Sequence, residues 1–340
     1  MAGESFGAGQ LGGYGRYAEA PSALQLQRFF HFDERDRELI AERRGDHNRL
    51  GFAVQLATVR FLGTFLAHPT DVPAIVARTV SREVAVSDPG CLERYARRAQ
   101  THREHAREIQ CVYGYRDFSD PTARGELVAW LDARAWTTAE RPSVLFDLAT
   151  ARLIEARVLL PGASVLVRLI ASARDRAGER LHATLDGVLT DAQRQRLAGL
   201  LDIDEGEQFS RLELLRSGPR KVTATELNDA LTRLRAVRAV GVGDVTADVP
   251  AGRERALARY GLAAKAQTLR RMSPKRRTAT LLTALWELEL DAADDALVLL
   301  DGLLDQLLSQ AAREHNDDRV KTLPALDVAA AAAVRRPRAA

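Results

Sequence analysis

Three runs of basic side chains carry the chemistry legible in this sequence. The first, ERRGDHNRLGF at residues 42–52, gathers Arg43, Arg44, His47, Asn48 and Arg49 around one glycine. Such side chains suit a DNA groove: a guanidinium forks onto the edge of guanine, an Asn amide pairs with adenine, and the N–H groups opening a helix hold phosphate. Arg43 and Arg44 could instead complement the C-terminal dipole of a preceding helix. The second run, RYARRAQTHREHAREI, brings Arg94, Arg97, Arg98, Thr101, His102, Arg103, His105 and Arg107 at spacings that lay a basic stripe along a helix. Glu93, Glu104 and Glu108 interleave with it, as they would on a salt-bridged surface helix. The third, KAQTLRRMSPKRR, holds Lys265, Arg270, Arg271, Lys275, Arg276 and Arg277 with no acidic residue between them. An uncompensated patch of this kind attracts polyanions by releasing their counterions, and it contacts phosphate without reading sequence. A solvated basic loop is the plainer alternative.

No set of residues predicts an enzyme. The stretch GAGQLGG is not set between a strand and a helix, so it is no phosphate loop, and neither a GxSxG elbow nor an HExxH helix occurs. His102 and His105 share a helical face, but no third ligand follows at a metal-site spacing. The acidic run Asp291, Asp294, Asp295 reads as a solvated helix start. Cys91 and Cys111 stand far apart, supporting neither a disulfide framework nor a zinc site. We therefore expect no catalytic residue, no metal and no cofactor.

Bulk properties agree. The 340 residues suffice for two or three cores, and 46% hydrophobic with 28% charged residues is the profile of a folded domain. The formal net charge is only +3, so any polyanion binding must come from local clusters. Lysine occurs only at Lys221, Lys265, Lys275 and Lys321; the dominance of Arg suits phosphate and base-edge recognition, and equally suits codon bias in a GC-rich genome. With no leader-like start and no run near the ~20 apolar residues of a membrane span, the expected place is the cytoplasm, at the nucleoid, with no membrane partner.

The elements that must position these runs are helices. Asp33 is placed to cap a helix ending at Arg44, and Asp46, just past Gly45, to cap a second through Leu50, Val54 and Phe61. Two helices about a tight glycine turn are the parts of a helix-turn-helix. Asp88-Pro89, Asp120-Pro121 and Ser273-Pro274 each set a capping side chain before a proline. Thr190–Gln193, Ser210–Glu213 and Thr223–Glu226 have capping-box spacing. No alternating strand pattern appears, so the fold class is all-α: tandem small helical, helix-turn-helix-like domains followed by a helical bundle region. Pro- and Gly-rich breaks suggest disordered tails at 1–20 and 317–340. Between them they suggest helical domains at 21–86, 87–158 and 159–217 and a helical region at 218–316.

The string FFHFDERDRELIAERRGDHNRLGFAVQLATVRFLGTFLAHPTDVPAIVARTVSREVAV resembles the opening domain of Tn-three-type (class II, replicative) transposases. The likeness continues through RYARRAQTHREHAREIQCVYGYRDF and VLLPGASVLVRLI, and more loosely through the helices to about residue 316. The resemblance implies tandem domains that bind the double-stranded terminal inverted repeats of a transposon, followed by a dimerisation region. In full-length relatives a larger C-terminal part carries a ribonuclease-H-like catalytic domain with acidic metal ligands. Nothing in this chain matches it, so the expected product is an address reader that neither cleaves nor transfers strands. The alternative expectation is a helical interaction module that pairs, as homodimer or heteromer, with a full-length transposase and modulates it.

Overall fold

In the computed structural model, described over residues 12–334, the chain is all-α. Among the described residues the only extended pairing is one isolated bridge, between Arg116 and Val158. The chain divides into two compact units, the first ending at Gly178 and the second beginning at Glu179.

The first unit is built around one central helix. Helices α1 (Ala23–Phe29), α2 (Glu34–Ala41), α3 (Asp46–Leu62), α4 (Ala74–Glu83), α5 (Leu92–Ala96) and α6 (Ala99–Tyr113) follow in order. Every residue of α3 from Leu50 to Val59 is buried, because all but the hydrogen-bonded Gln55 are apolar or small and neighbouring elements surround the helix. Asp33 caps α2 as expected, accepting from the Asp36 N–H at 2.8 Å. Asp46 does not cap α3; it is the first helical residue, and Gly45 is the cap, at φ +80°, where only glycine is unstrained. Asp36 is buried and receives both Arg60 guanidinium nitrogens at 2.7 Å, together with the Tyr113 hydroxyl, tying α2, α3 and α6 together. Burial raises the pKa of its carboxyl. The Arg60 and Tyr113 hydrogen bonds and the Arg60 charge outweigh that and hold it below the ordinary carboxylate value.

A second core joins α7 (Pro121–Thr137), α8 (Pro142–Glu155) and the start of α9 (Ala163–Gly187) through Leu131, Phe146, Leu166 and Ile170. The two layers are laced by backbone: Arg116 N–H donates to Arg157 at 2.8 Å, and Leu160 N–H to Gly63 at 2.9 Å.

Two buried clusters extend across expected boundaries. One core runs from Phe30 to Ile109, across the boundary expected at residue 86, and the next runs from Phe118 to Ala177, across the one expected at 158. The proline and glycine breaks there are turns inside a packed unit rather than linkers. Residues 1–11 of the expected tail lie outside the described residues. The remainder is packed: the Tyr14 ring lies 5.0 Å from that of Phe146, and the Tyr17 hydroxyl is 3.0 Å from Thr58 Oγ1. Aromatic burial orders a segment whose glycine content hid it.

In the second unit, α10 (Asp191–Gly199), α11 (Arg211–Leu215), α12 (Ala224–Ala239), α13 (Ala251–Ala263) and α14 (Ala266–Arg270) precede the long α15 (Pro274–Val334). Capping boxes form at Thr190–Gln193 and Ser210–Glu213. At Thr223 only half of one forms, because the Glu226 carboxylate accepts instead from the Arg220 N–H. The boundary expected at 217 is bridged: Arg216 donates to the carbonyls of Gly261 and Ala264, and Arg233 to that of Leu215. Helix α13 approaches α15 at Gly261, where a Cβ would stand 2.9 Å from the Thr280 carbonyl oxygen. The expected tail from 317 is helical to Val334, since alanine favours helix without needing an amphipathic face.

Candidate nucleic-acid interface

The turn at residues 42–49 divides its side chains between structure and solvent. Arg43 faces inward. It donates to both Glu108 oxygens at 2.7 and 2.8 Å and lies 4.9 Å from the Phe52 ring centroid, with only 15% of its side chain exposed. This spends the guanidinium expected on DNA on joining the turn to α6. Arg49 pairs with Asp46 one turn earlier. Asn48 donates to the Arg44 carbonyl at 2.8 Å, while its Oδ1 has no hydrogen-bond partner. Its amide therefore fastens the turn, and a base contact would require it to rotate. Arg44 is exposed and forms no ion pair with a described residue.

Burial limits which part of α3 is open to a groove. A recognition helix needs a face free to enter a groove. Helix α3 has none beyond its first turn, Asp46–Arg49, because Leu50–Val59 are buried on every side.

What the fold does is bring the second basic run to that first turn. Gly51 lets α5 come close: a Cβ there would sit 2.3 Å from the Tyr95 ring. Gln55 donates to the Tyr95 hydroxyl and, at 3.1 Å, to the His102 carbonyl. The Tyr95 hydroxyl in turn lies 3.0 Å from His105 Nδ1. Tyr95 and His105 are thus core residues, and the aromatic ring set inside a basic run was the sequence signal for it. Arg94 donates to His47 Nδ1 at 3.3 Å, which joins the two runs directly. A guanidinium only donates, so this nitrogen accepts and the imidazole is neutral. Burial lowers the His47 pKa, and the charges of Arg94 and then Arg98 lower it further.

Around this junction Arg94, Arg97, Arg98 and Arg103 are exposed, and none is paired with a carboxylate among the described residues. Thr101 and His102 are half-buried behind them. The interleaved glutamates do not silence the stripe: Glu108 is taken by Arg43, and Glu104 accepts from Gln100 at 2.7 Å. The face combines the front of α3, α5 and the front of α6 into a surface of exposed cations.

The third run lies in the second unit. Lys265, Arg271 and Lys275 are exposed. Arg270 donates to the Leu201 carbonyl, Arg277 to the Arg270 carbonyl at 3.4 Å, and Arg276 lies 5.8 Å from the Tyr260 ring centroid. Of the acidic run, Asp295 is held by Arg233. Among the described residues no group of three or more His, Cys, Asp or Glu side chains could hold a metal ion, and no helix is long and apolar enough to cross a membrane.

Comparison with known proteins points one way. A domain of unknown function (DUF4158) matches residues 8–173. The transposase for transposon gamma-delta of Escherichia coli (strain K12) is 42% identical over 318 residues, which is 93% of this chain and 32% of that protein. The transposase for transposon Tn501 of Pseudomonas aeruginosa is 33% identical over 85% of this chain and 29% of its own length. The transposase for transposon Tn1546 of Enterococcus faecium is 26% identical over 86% of this chain and 30% of its own length. The chain thus spans about a third of the length of these relatives.

Proposed function

The chain belongs to the Tn-three-type transposase family along the third of its members' length that it matches, and from that premise we propose that it binds the terminal inverted-repeat DNA of a transposon. The observation that carries this reading is the meeting of the two basic runs at the His47–Arg94 contact. Around it Arg44, Arg94, Arg97, Arg98 and Arg103 present guanidinium groups that no described carboxylate neutralises. Guanidinium groups held on rigid helix starts can both grip phosphate and reach base edges. Lys265, Arg271 and Lys275 contact backbone phosphate without sequence preference. In this reading the chain reads ends, and strand cleavage and joining fall to the part of the relatives that it does not match.

Gel-shift titration on inverted-repeat and scrambled duplexes, repeated at rising salt, tests it. The expected result is tighter binding to the repeat with a gap that persists as salt rises. Equal affinities that fall together would leave electrostatic attraction alone.

A second reading, pairing with a full-length transposase, is favoured by α15. Leu290, Leu297, Leu300, Leu304 and Leu307 alternate at coiled-coil spacing yet are exposed. Asp294, Asp301 and Asp305 flank them, so two copies of this face would repel and a basic-flanked helix of the partner would fit. Light scattering of the chain mixed with a full-length relative tests this. Complex formation lost on Leu297→Glu/Leu304→Glu supports it, and no complex at all refutes it.

A further inference from the structure

Two apolar surfaces of the second unit are left uncovered, and they complement each other. The first is an open groove of about 690 Å3 between α10, α11 and α12, whose lining includes Arg196, Leu200, Arg211, Leu214, Ala236 and Ala239. Leu214 is 41% exposed, and the loop joining α10 to α11 adds exposed Ile203 and Phe209. The lining holds two arginines and no acid. Arg211 shares its charge with Asp204 at 2.6 Å, whereas Arg196 is exposed and forms no ion pair with a described residue.

The second surface is on α15. Ala296 and Leu299 pack with Ala230, Leu227 and Leu231 of α12. That leaves Leu297, Leu300, Leu304 and Leu307, three and four residues apart, as one exposed stripe on the side that α12 does not cover. From Asp294 to Gln310 the helix contains no lysine or arginine, and Asp301 and Asp305 stand exposed beside the stripe.

Leucines at this spacing are what a helix lays into an apolar groove, and acids beside them suit a groove whose only charged lining is cationic. The stripe cannot reach the groove of its own chain, because α15 runs unbroken from Pro274 to Val334 and does not turn back toward α10. A second copy supplies the missing counterpart to both surfaces at once.

We propose that the leucine stripe of α15 in one copy seats in the α10–α12 groove of another, with Asp301 and Asp305 toward Arg196. The contact is heterologous, groove to helix, and mutual exchange of α15 closes it into a dimer. It uses the same face of α15 as the pairing reading above but needs no full-length transposase, so the two fail separately.

The test is light scattering of the whole chain alone at rising concentration. The wild-type mass should climb from that of one chain toward two. Arg196→Glu/Ala236→Glu, at exposed positions on their helices, should weaken self-association by about 10-fold or more, and so should Leu300→Glu/Leu304→Glu, with melting unchanged in both. Mixed together, the two variants should associate again, because one brings an intact stripe and the other an intact groove. A wild-type chain that keeps the mass of one copy throughout overturns the proposal, even if it binds a full-length relative. So does a groove variant that self-associates like wild type, which would place the contact elsewhere, or a mixture that never recovers.

Discussion

The basic runs at residues 42–49 and 265–277 look alike on paper and behave differently in space. The first contains Glu42 and Asp46 and has Glu108 close by in the fold, yet those acids consume only Arg43 and Arg49. Arg44 stays exposed, and the fold adds Arg94, Arg97 and Arg98 beside it. The second contains no acid at all, and still Arg270 and Arg277 are engaged by backbone carbonyls while Arg276 lies on an aromatic ring. What silences an arginine is the nearest acceptor in three dimensions, whether carboxylate, carbonyl or ring face. Local charge counts therefore misjudge both runs, in opposite directions.

The largest expected effects come from the two close helix contacts, one in each unit. Gly51→Ala drives a methyl into the buried Tyr95 ring and should destabilise the first unit by about 3 kcal/mol, lowering the urea midpoint and abolishing repeat binding. Gly261→Ala should destabilise the second unit by roughly the same amount through the Thr280 carbonyl, yet leave the preference for repeat over scrambled DNA intact. Loss of that preference in the Gly261 variant would mean that the two runs do not divide the work as argued.

Next come the exposed cations. Arg94→Ala/Arg98→Ala should cost repeat binding on the order of 10-fold or more and lower the salt slope by about two, with the unfolding midpoint unchanged. Arg271→Ala/Lys275→Ala should weaken repeat and scrambled duplexes alike. A selective loss in the second pair would overturn the comparison.

Arg43→Ala should behave oppositely to Arg94→Ala. Removing its pair with Glu108 and its contact with Phe52 should cost about 1–2 kcal/mol of stability, discounted for the part-exposed Glu108. Under conditions where the variant is folded, its affinity should be near wild type. Unchanged melting with lost binding would return Arg43 to the interface.

The smallest effect separates the units by pH. The Asp36 carboxyl, held below its ordinary value, contributes stability that is present above the unfolded pKa of about 4 and is lost as pH falls through the folded value. His182 is depressed too, but as a base: its contribution is present above the unfolded pKa of about 6.5 and is lost as pH falls toward 4. In denaturant titrations the difference between wild type and His182→Gln should therefore open between pH 6.5 and 4. That between wild type and Asp36→Asn should be full at neutral pH and shrink below about pH 4. Coincident windows would show that one of these groups is misassigned.

Much of the local structure was legible because caps and prolines act within a single turn. Asp33, Asp120, Thr190 and Ser210 each bond the backbone two or three residues away, so their roles follow from spacing alone. Asp46 misled because a left-handed glycine can open a helix without any side-chain cap. The Tyr14 and Tyr17 segment was hidden by its glycines, and the alanine-rich end of α15 by its lack of a polar face.

By itself the sequence determined the helical class, the positions of most helix starts and the three stores of positive charge, because propensity, capping and composition are local quantities. Only the tertiary structure decided which charges remain available. Glu108 lies 65 residues from Arg43, and His47 lies 47 from Arg94, so neither pairing can be read from spacing. The burial of α3 was likewise a tertiary outcome. Its apolar run admits either a groove-facing helix or a core helix, and the packing of α5 against Gly51 selects the core.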